Sequence, residues 1–215
     1  MNNNMYDDIF YYDNGNNPTI VSPNSPFELP FYQTRESLLD IESYKNFLQN
    51  AISRFRQSRT YKNYKSYLIN LGLDRCQVHG NITNEMATIE MHHNVLTVYD
   101  IAIIITEHVI NTYGKISTFD LVQLLKEEHK ANRVQLVMLS LTPHQLFHNN
   151  QDFVISNEMC FGNWIEFLEK YNKGLTRDIA YKILFYIQKN ITNDGNTDDA
   201  ELLNLRDKIL SWHIN

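Results

Sequence analysis

From Thr34 to Asn70 the apolar residues recur at helical spacing, through Leu38, Leu39, Ile41, Tyr44, Leu48, Ile52, Phe55, Tyr64, Tyr67 and Leu68. Gly72 stands where such a helix would stop. The period then changes: Met86 to Met91 alternates and predicts a short strand leading into His92 and His93. Thr97-Val98-Tyr99-Asp100 and Ser117-Thr118-Phe119-Asp120 both have the form of a capping box, in which a hydroxyl and a carboxylate satisfy free backbone N–H groups. They predict one helix to about Thr112, closed by Gly114, and another to about Lys130. Val134 to Leu139 is mostly apolar and predicts a second strand. Pro143 suits the first turn of a helix after it, where a missing N–H costs nothing, and that helix carries His144 and His148.

Three more helices are expected downstream. One runs from Gly162 to Leu168, one from Thr176 to Lys189, and the last carries Leu202, Leu205, Ile209 and Trp212, with a linker at Thr192 to Asn196 between the last two. Pro18, Pro23, Pro26 and Pro30, set among Asn, Asp, Tyr and Ser, mark residues 1–33 as an extended or disordered arm. The fold class is α+β, mostly helical. Its expected segments are the arm, a basic helical region at 34–75, a core at 76–152 with a helical insertion at 97–130, and a C-terminal helical cap at 153–215.

A chain of 215 residues with 43% hydrophobic content can bury one core. Its formal charge of −6 is not that of a nucleic-acid binder, whose footprint is usually basic. Locally the balance reverses, because Arg54, Arg56, Arg59, Lys62, Lys65 and Arg75 face only Asp74. Aromatics alternate with these cations, so the stretch reads either as a solvated helix face over packed rings or as a phosphate-contacting helix. Taken alone, the solvated face is the ordinary reading.

Cys76 and Cys160 are the only cysteines and show no pairing pattern, which points to a reducing compartment rather than a disulfide framework. Cys76 and His79 have the spacing of half a zinc knuckle, but no second pair matches it, so a turn over a buried Cys76 is expected. His108 and His129 fall in the two capped helices, where each alone reads as a surface or hydrogen-bonded histidine. The start of the chain lacks a secretory signal, and the longest apolar run, Ile101 to Ile105, is too short to span a bilayer. A soluble, cytoplasmic protein with no membrane partner is expected.

Half of the eight histidines lie in two windows: His92 and His93 at the end of the first strand, and His144 and His148 four residues apart on one helix face. This is the geometry of a metal clamp. Glu90-Met91-His92-His93 resembles the first motif of the HNH, or His-Me finger, endonucleases, and Thr142-Pro143-His144 with His148 is similar to their last one. The likeness is greatest to the colicin-type nuclease domains. Asn132, just before the second strand, resembles the central Asn, with Asn94 and Asn149 as alternatives.

The resemblance implies a ββα-metal core with one divalent ion, Zn²⁺, Mg²⁺ or Mn²⁺, held by His92, His144 and His148. It implies that His93 is the general base, that Asn132 holds the loop or the His93 ring, and that Glu90 supports an imidazole. DNA would be the partner, with Arg54, Arg56, Arg59, Lys62 and Lys65 contacting it and cleavage leaving 5′-phosphate and 3′-hydroxyl ends.

Independently of the resemblance, phosphodiester hydrolysis needs an activated water and relief of negative charge, which an imidazole near neutrality and a divalent ion supply. Adjacent residues of a strand point to opposite sides, so His92 can bind a metal while His93 faces water. Two features depart from the motif: 38 residues separate His93 from Asn132, and no Cys pairs brace the core. Abundant Asn, Ile, Tyr and Lys suit an AT-rich genome, and a small free-standing nuclease would suit a phage or mobile element, whose protein would work in the host cytoplasm. The alternatives are an inactive, metal-containing DNA-binding or regulatory protein and a structural interaction protein.

Overall fold

The computed structural model describes residues 32–143, 145, 155–193 and 200–212. Among them the chain is mostly helical with two small two-stranded sheets. Most of the N-terminal arm, together with His144, His148 and Asn149, lies outside the described residues.

The long helix expected from Thr34 is two helices and a strand. Tyr32–Thr34 forms β1, and helices α1 (Ile41–Gln57) and α2 (Arg59–Asn70) follow. Asp40 caps the first by accepting from the Ser43 N–H. Ser58 breaks the pair: its backbone is extended, and its hydroxyl accepts from the Tyr61 N–H as the N-cap of α2. The apolar period continues through the break because both helices lay one face on the same core.

Strand β2 (Ile89–His93) contains the histidine pair, starting three residues and ending two residues later than its alternation suggests. Both capping boxes form, with Thr97 and Asp100 opening α3 (Val98–Tyr113) and Ser117 and Asp120 opening α4 (Thr118–Lys130). Gly114 ends α3 at φ +79°, a left-handed conformation that glycine adopts without a side-chain clash. Between the two helices, β3 (Lys115–Ser117) pairs antiparallel with β1. Then β4 (Leu136–Ser140) pairs antiparallel with β2, in a register that sets His93 opposite Leu136 and Ile89 opposite Ser140. Residues 141–143 are helical directly after β4.

Helix α3 is apolar on nearly every side, with Ile101, Ala102, Ile104, Ile105 and Val109 all buried, so it runs through the middle of the core. Around it the main cluster joins Leu48, Phe55 and Leu68 of the N-terminal helices to Leu121 and Leu125 of α4. The same cluster includes residues of α5 (Trp164–Lys170), α6 (Arg177–Asn193) and α7 (Ala200–Ser211). Gly174 lies against α3 so closely that a Cβ there would stand 1.8 Å from the Ile104 carbonyl oxygen. Helix α6 runs into the expected linker as far as Asn193, and residues 194–196 are outside the described set.

Every residue of β4 is buried. Met138 packs with Cys76 and Ile89, whereas Val137 and Leu139 pack with Ile155, so the small sheet is covered on both faces. The far side of Leu136 is closed by Phe161, which exchanges backbone hydrogen bonds with it at 2.8 and 2.7 Å. The strand that carries the histidines therefore sits on a rigid support.

Candidate functional site

Strand alternation divides the two neighbouring histidines. His93 turns inward and is 8% exposed, while His92 is half-buried. The Nδ1 atom of His92 lies 2.6 Å from the backbone carbonyl oxygen of His93. A carbonyl only accepts, so Nδ1 donates, and in the neutral form of the His92 ring the lone pair is on Nε2. That is the state a metal ligand needs, with the second nitrogen fixed by the protein. Glu90, two residues earlier on the same strand face, is also half-buried.

The inward ring meets His129, which the sequence placed in a capped helix as a surface or hydrogen-bonded histidine. His93 Nε2 is 2.8 Å from Nε2 of His129, in the last turn of α4. His129 is 1% exposed, and its Nδ1 donates to the Leu125 carbonyl at 2.7 Å. Phe55, Tyr61 and Tyr64 surround the His129 ring at centroid distances of 4.5, 6.0 and 5.8 Å. Burial pushes the His129 pKa down to about 4. Burial also holds His93 well below the usual histidine value, aided by the nearby His129, His92 and Arg56. The imidazole near neutrality expected from sequence is therefore a neutral ring with little affinity for a proton, because burial penalises its charged form.

The signal for His129 was its helical phase. Leu121, Leu125 and His129 are four apart and all buried, so the histidine lies on the apolar stripe of α4 rather than on its wet face.

Asn132 lies three residues beyond His129, just after α4, with φ +54°. Its side-chain oxygen accepts from the Tyr64 hydroxyl at 2.9 Å, tying α2 to the end of α4. Asn94, the residue after His93, is buried and its amide donates to Gln135 at 3.2 Å and to the Tyr186 hydroxyl at 3.1 Å. It fastens the end of β2 to the start of β4 and to α6.

Of the basic residues, Arg54, Arg56, Arg59 and Lys62 are exposed and Lys65 is half-buried. Arg54 lines a groove of about 850 Å³ with Lys126, Tyr32 and Phe119. Arg56 lines a second groove, of about 510 Å³, with Gln49, Gln57, Thr97 and Tyr99. Arg56 is near enough to His93 to disfavour its charged form.

Among the described residues no group of three His, Cys, Asp or Glu side chains converges as a metal site. Two of the three expected ligands, His144 and His148, are not among them. Cys76 is fully buried in its turn, where its sulfur accepts from the His79 N–H at 3.4 Å.

A buried imidazole pair thus joins the end of β2 to the last turn of α4, beside a basic helical face, in a small, mostly helical α+β protein. The model of the bacteriophage G278-like virion protein family matches residues 2–213, and the chain belongs to that family. No curated protein and no solved structure matches it. The family bears out the phage side of the expected phage or mobile-element origin. No described helix is long and apolar enough to cross a membrane.

Proposed function

We propose that this phage protein is a metal-dependent HNH-type endonuclease that hydrolyses DNA phosphodiester bonds and acts with the virion. The observation that carries the reading is His93: a buried, neutral imidazole at the end of β2, with one nitrogen engaged by His129. The surrounding order of elements supports it, since β2 pairs antiparallel with β4 and helical backbone begins directly after β4. That is the order strand, strand, helix of a ββα-metal core, with α3, β3 and α4 as the insertion.

In this reading His93 takes a proton from the attacking water. It stays unprotonated at neutral pH because its environment disfavours the cation. His92 suits a metal, since its Nδ1 donates to a backbone carbonyl and leaves Nε2 as the donor atom. His144 and His148 would complete the set with it, and a divalent ion bound there supplies charge relief to the phosphate and leaving oxygen. Imidazole nitrogens suit Zn²⁺ and other transition ions, while substrate oxygens let Mg²⁺ or Mn²⁺ serve. Arg54, Arg56, Arg59, Lys62 and Lys65 bind the DNA backbone, and Arg56 is the one whose charge reaches the base. Glu90 supports His92 from the same strand face. Asn132 braces the scaffold that carries the site, through its hydrogen bond to Tyr64 on the basic helix.

The family description favours a second reading, in which the protein is a non-catalytic, structural constituent of the particle. Plasmid nicking by purified, untagged protein with Mg²⁺, Mn²⁺, Zn²⁺ or chelator separates the two. The nuclease reading expects metal-dependent conversion of supercoiled to nicked circles. Intact plasmid under every condition, with no divalent ion bound, would leave the structural reading standing.

A further inference from the structure

His129 comes from the helical insertion, and no part of the expected nuclease motif accounts for it. We infer that His129 is the positioning residue of the base: it accepts the His93 Nε2 proton, fixes that tautomer, and leaves His93 Nδ1 as the nitrogen that takes the proton from water. Its catalytic meaning rests on the nuclease reading of His93, whereas the hydrogen-bond relay itself stands on geometry.

The relay follows from what each atom can do. The Leu125 carbonyl only accepts, so His129 Nδ1 carries a proton. Two ring nitrogens 2.8 Å apart cannot both present protons to each other, so one of the facing Nε2 atoms is a bare acceptor. In the neutral His129 ring, whose single proton is on Nδ1, that acceptor is Nε2. His93 is therefore the donor, and its one remaining lone pair is on Nδ1. The Phe55, Tyr61 and Tyr64 rings enclose His129, so it cannot turn over without displacing them. These aromatics belong to the helices that carry the basic residues. The base is thus aligned by a helix of the insertion, which in turn is clamped by α1 and α2. In serine hydrolases a carboxylate fixes the tautomer of the catalytic histidine; here a second, neutral histidine does so.

The test is the histidine tautomer pattern in two-bond ¹H–¹⁵N correlation spectra of the full-length, metal-free protein at pH 7.5, followed by nicking kinetics with Mn²⁺. The wild type is expected to show His93 protonated on Nε2 and His129 on Nδ1. His129→Leu removes the acceptor, so the Nδ1–H form of His93 appears and kcat falls about a hundredfold, with KM within about twofold. His129→Gln offers a side-chain oxygen to the same proton. It is expected to keep the Nε2–H form of His93 and to restore kcat to within about tenfold of wild type.

A wild-type His93 protonated on Nδ1 overturns the inference, as does a His129→Leu spectrum in which His93 is unchanged. If the leucine variant does not fold, the wild-type and glutamine spectra decide. A protein with the relay in place that cuts no DNA with any metal instead overturns the nuclease reading on which the proposal rests.

Discussion

His108 in α3 and His129 in α4 are alike in charge state and differ in wiring, the first half-buried and the second fully buried. Burial pushes both down to about 4, so both rings are neutral at physiological pH. His108 packs edge-on against Tyr171, and its buried Nδ1 has no hydrogen-bond partner among the described residues. His129 has both nitrogens engaged, one by a helix carbonyl and the other by the ring at the end of β2. A low proton affinity therefore does not distinguish a packing histidine from a working one. The distinction lies in whether the ring's second nitrogen is joined to a residue with chemistry.

The largest expected effect breaks the pair apart directly. His129→Leu should slow plasmid nicking about a hundredfold, while His108→Leu should leave it within about twofold. Equal rates for the two variants would put His129 in the same class as His108. In thermal unfolding His108→Leu should be neutral or slightly stabilising, since it removes a buried polar atom without a partner.

Acid stability sharpens the same comparison. Each histidine is depressed in the folded protein and ordinary in the unfolded chain, so between pH 6.5 and about 4 the unfolded state takes up protons that the folded state refuses. Stability is then unaffected above pH 6.5 and falls as pH drops through that window. For His129 the full loss is about 3 kcal/mol, at about 1.4 kcal/mol per pH unit. Urea unfolding at pH 7.5 and 4.5 should show a smaller acid loss in His129→Leu than in wild type. Identical losses would mean that His129 charges freely in the folded protein.

A smaller effect concerns the support of the site. Tyr64→Phe deletes the hydroxyl that donates to Asn132 and should cost about 1 kcal/mol of stability, with little change in nicking. Asn132→Gly keeps a residue able to hold the left-handed backbone while losing the same hydrogen bond, so it should match Tyr64→Phe in urea unfolding. A large loss of nicking in Asn132→Gly with normal stability would give Asn132 a direct role beside His93.

The smallest effect is expected at the surface. Arg56→Gln removes one exposed cation and should weaken DNA binding evenly across sequences, lowering the slope of log affinity against log salt by about one. No change in that slope would remove Arg56 from the DNA-contacting face.

The parts legible in the sequence were those written locally. Two capping boxes placed α3 and α4, because a hydroxyl and a carboxylate three residues apart satisfy the first N–H groups wherever they occur. The apolar run into β4 located the partner of β2 to within two residues. The break at Ser58 was hidden, since the apolar face continues across it and its one marker, a serine before Arg59, is common inside helices too.

The site was half legible for a related reason. His92 and His93 announce themselves as neighbours, and strand alternation alone separates their faces. Their connection to His129 spans 36 positions and depends on how the insertion folds back, which no local spacing records. His129 could be located only through its phase with Leu121 and Leu125, a pattern that indicates burial and not a partner. Asn132, expected near the His93 ring, has its side chain on Tyr64 because the chain must turn at the end of α4 before entering β4.

The most direct test of His93 as the base is the rate of supercoiled plasmid nicking by wild type and His93→Ala, side by side, at pH 7.5 with saturating Mn²⁺. Loss of the general base should lower the rate by about 10² to 10⁴ while both proteins bind the same DNA equally well. Equal nicking by the two proteins would contradict the mechanism.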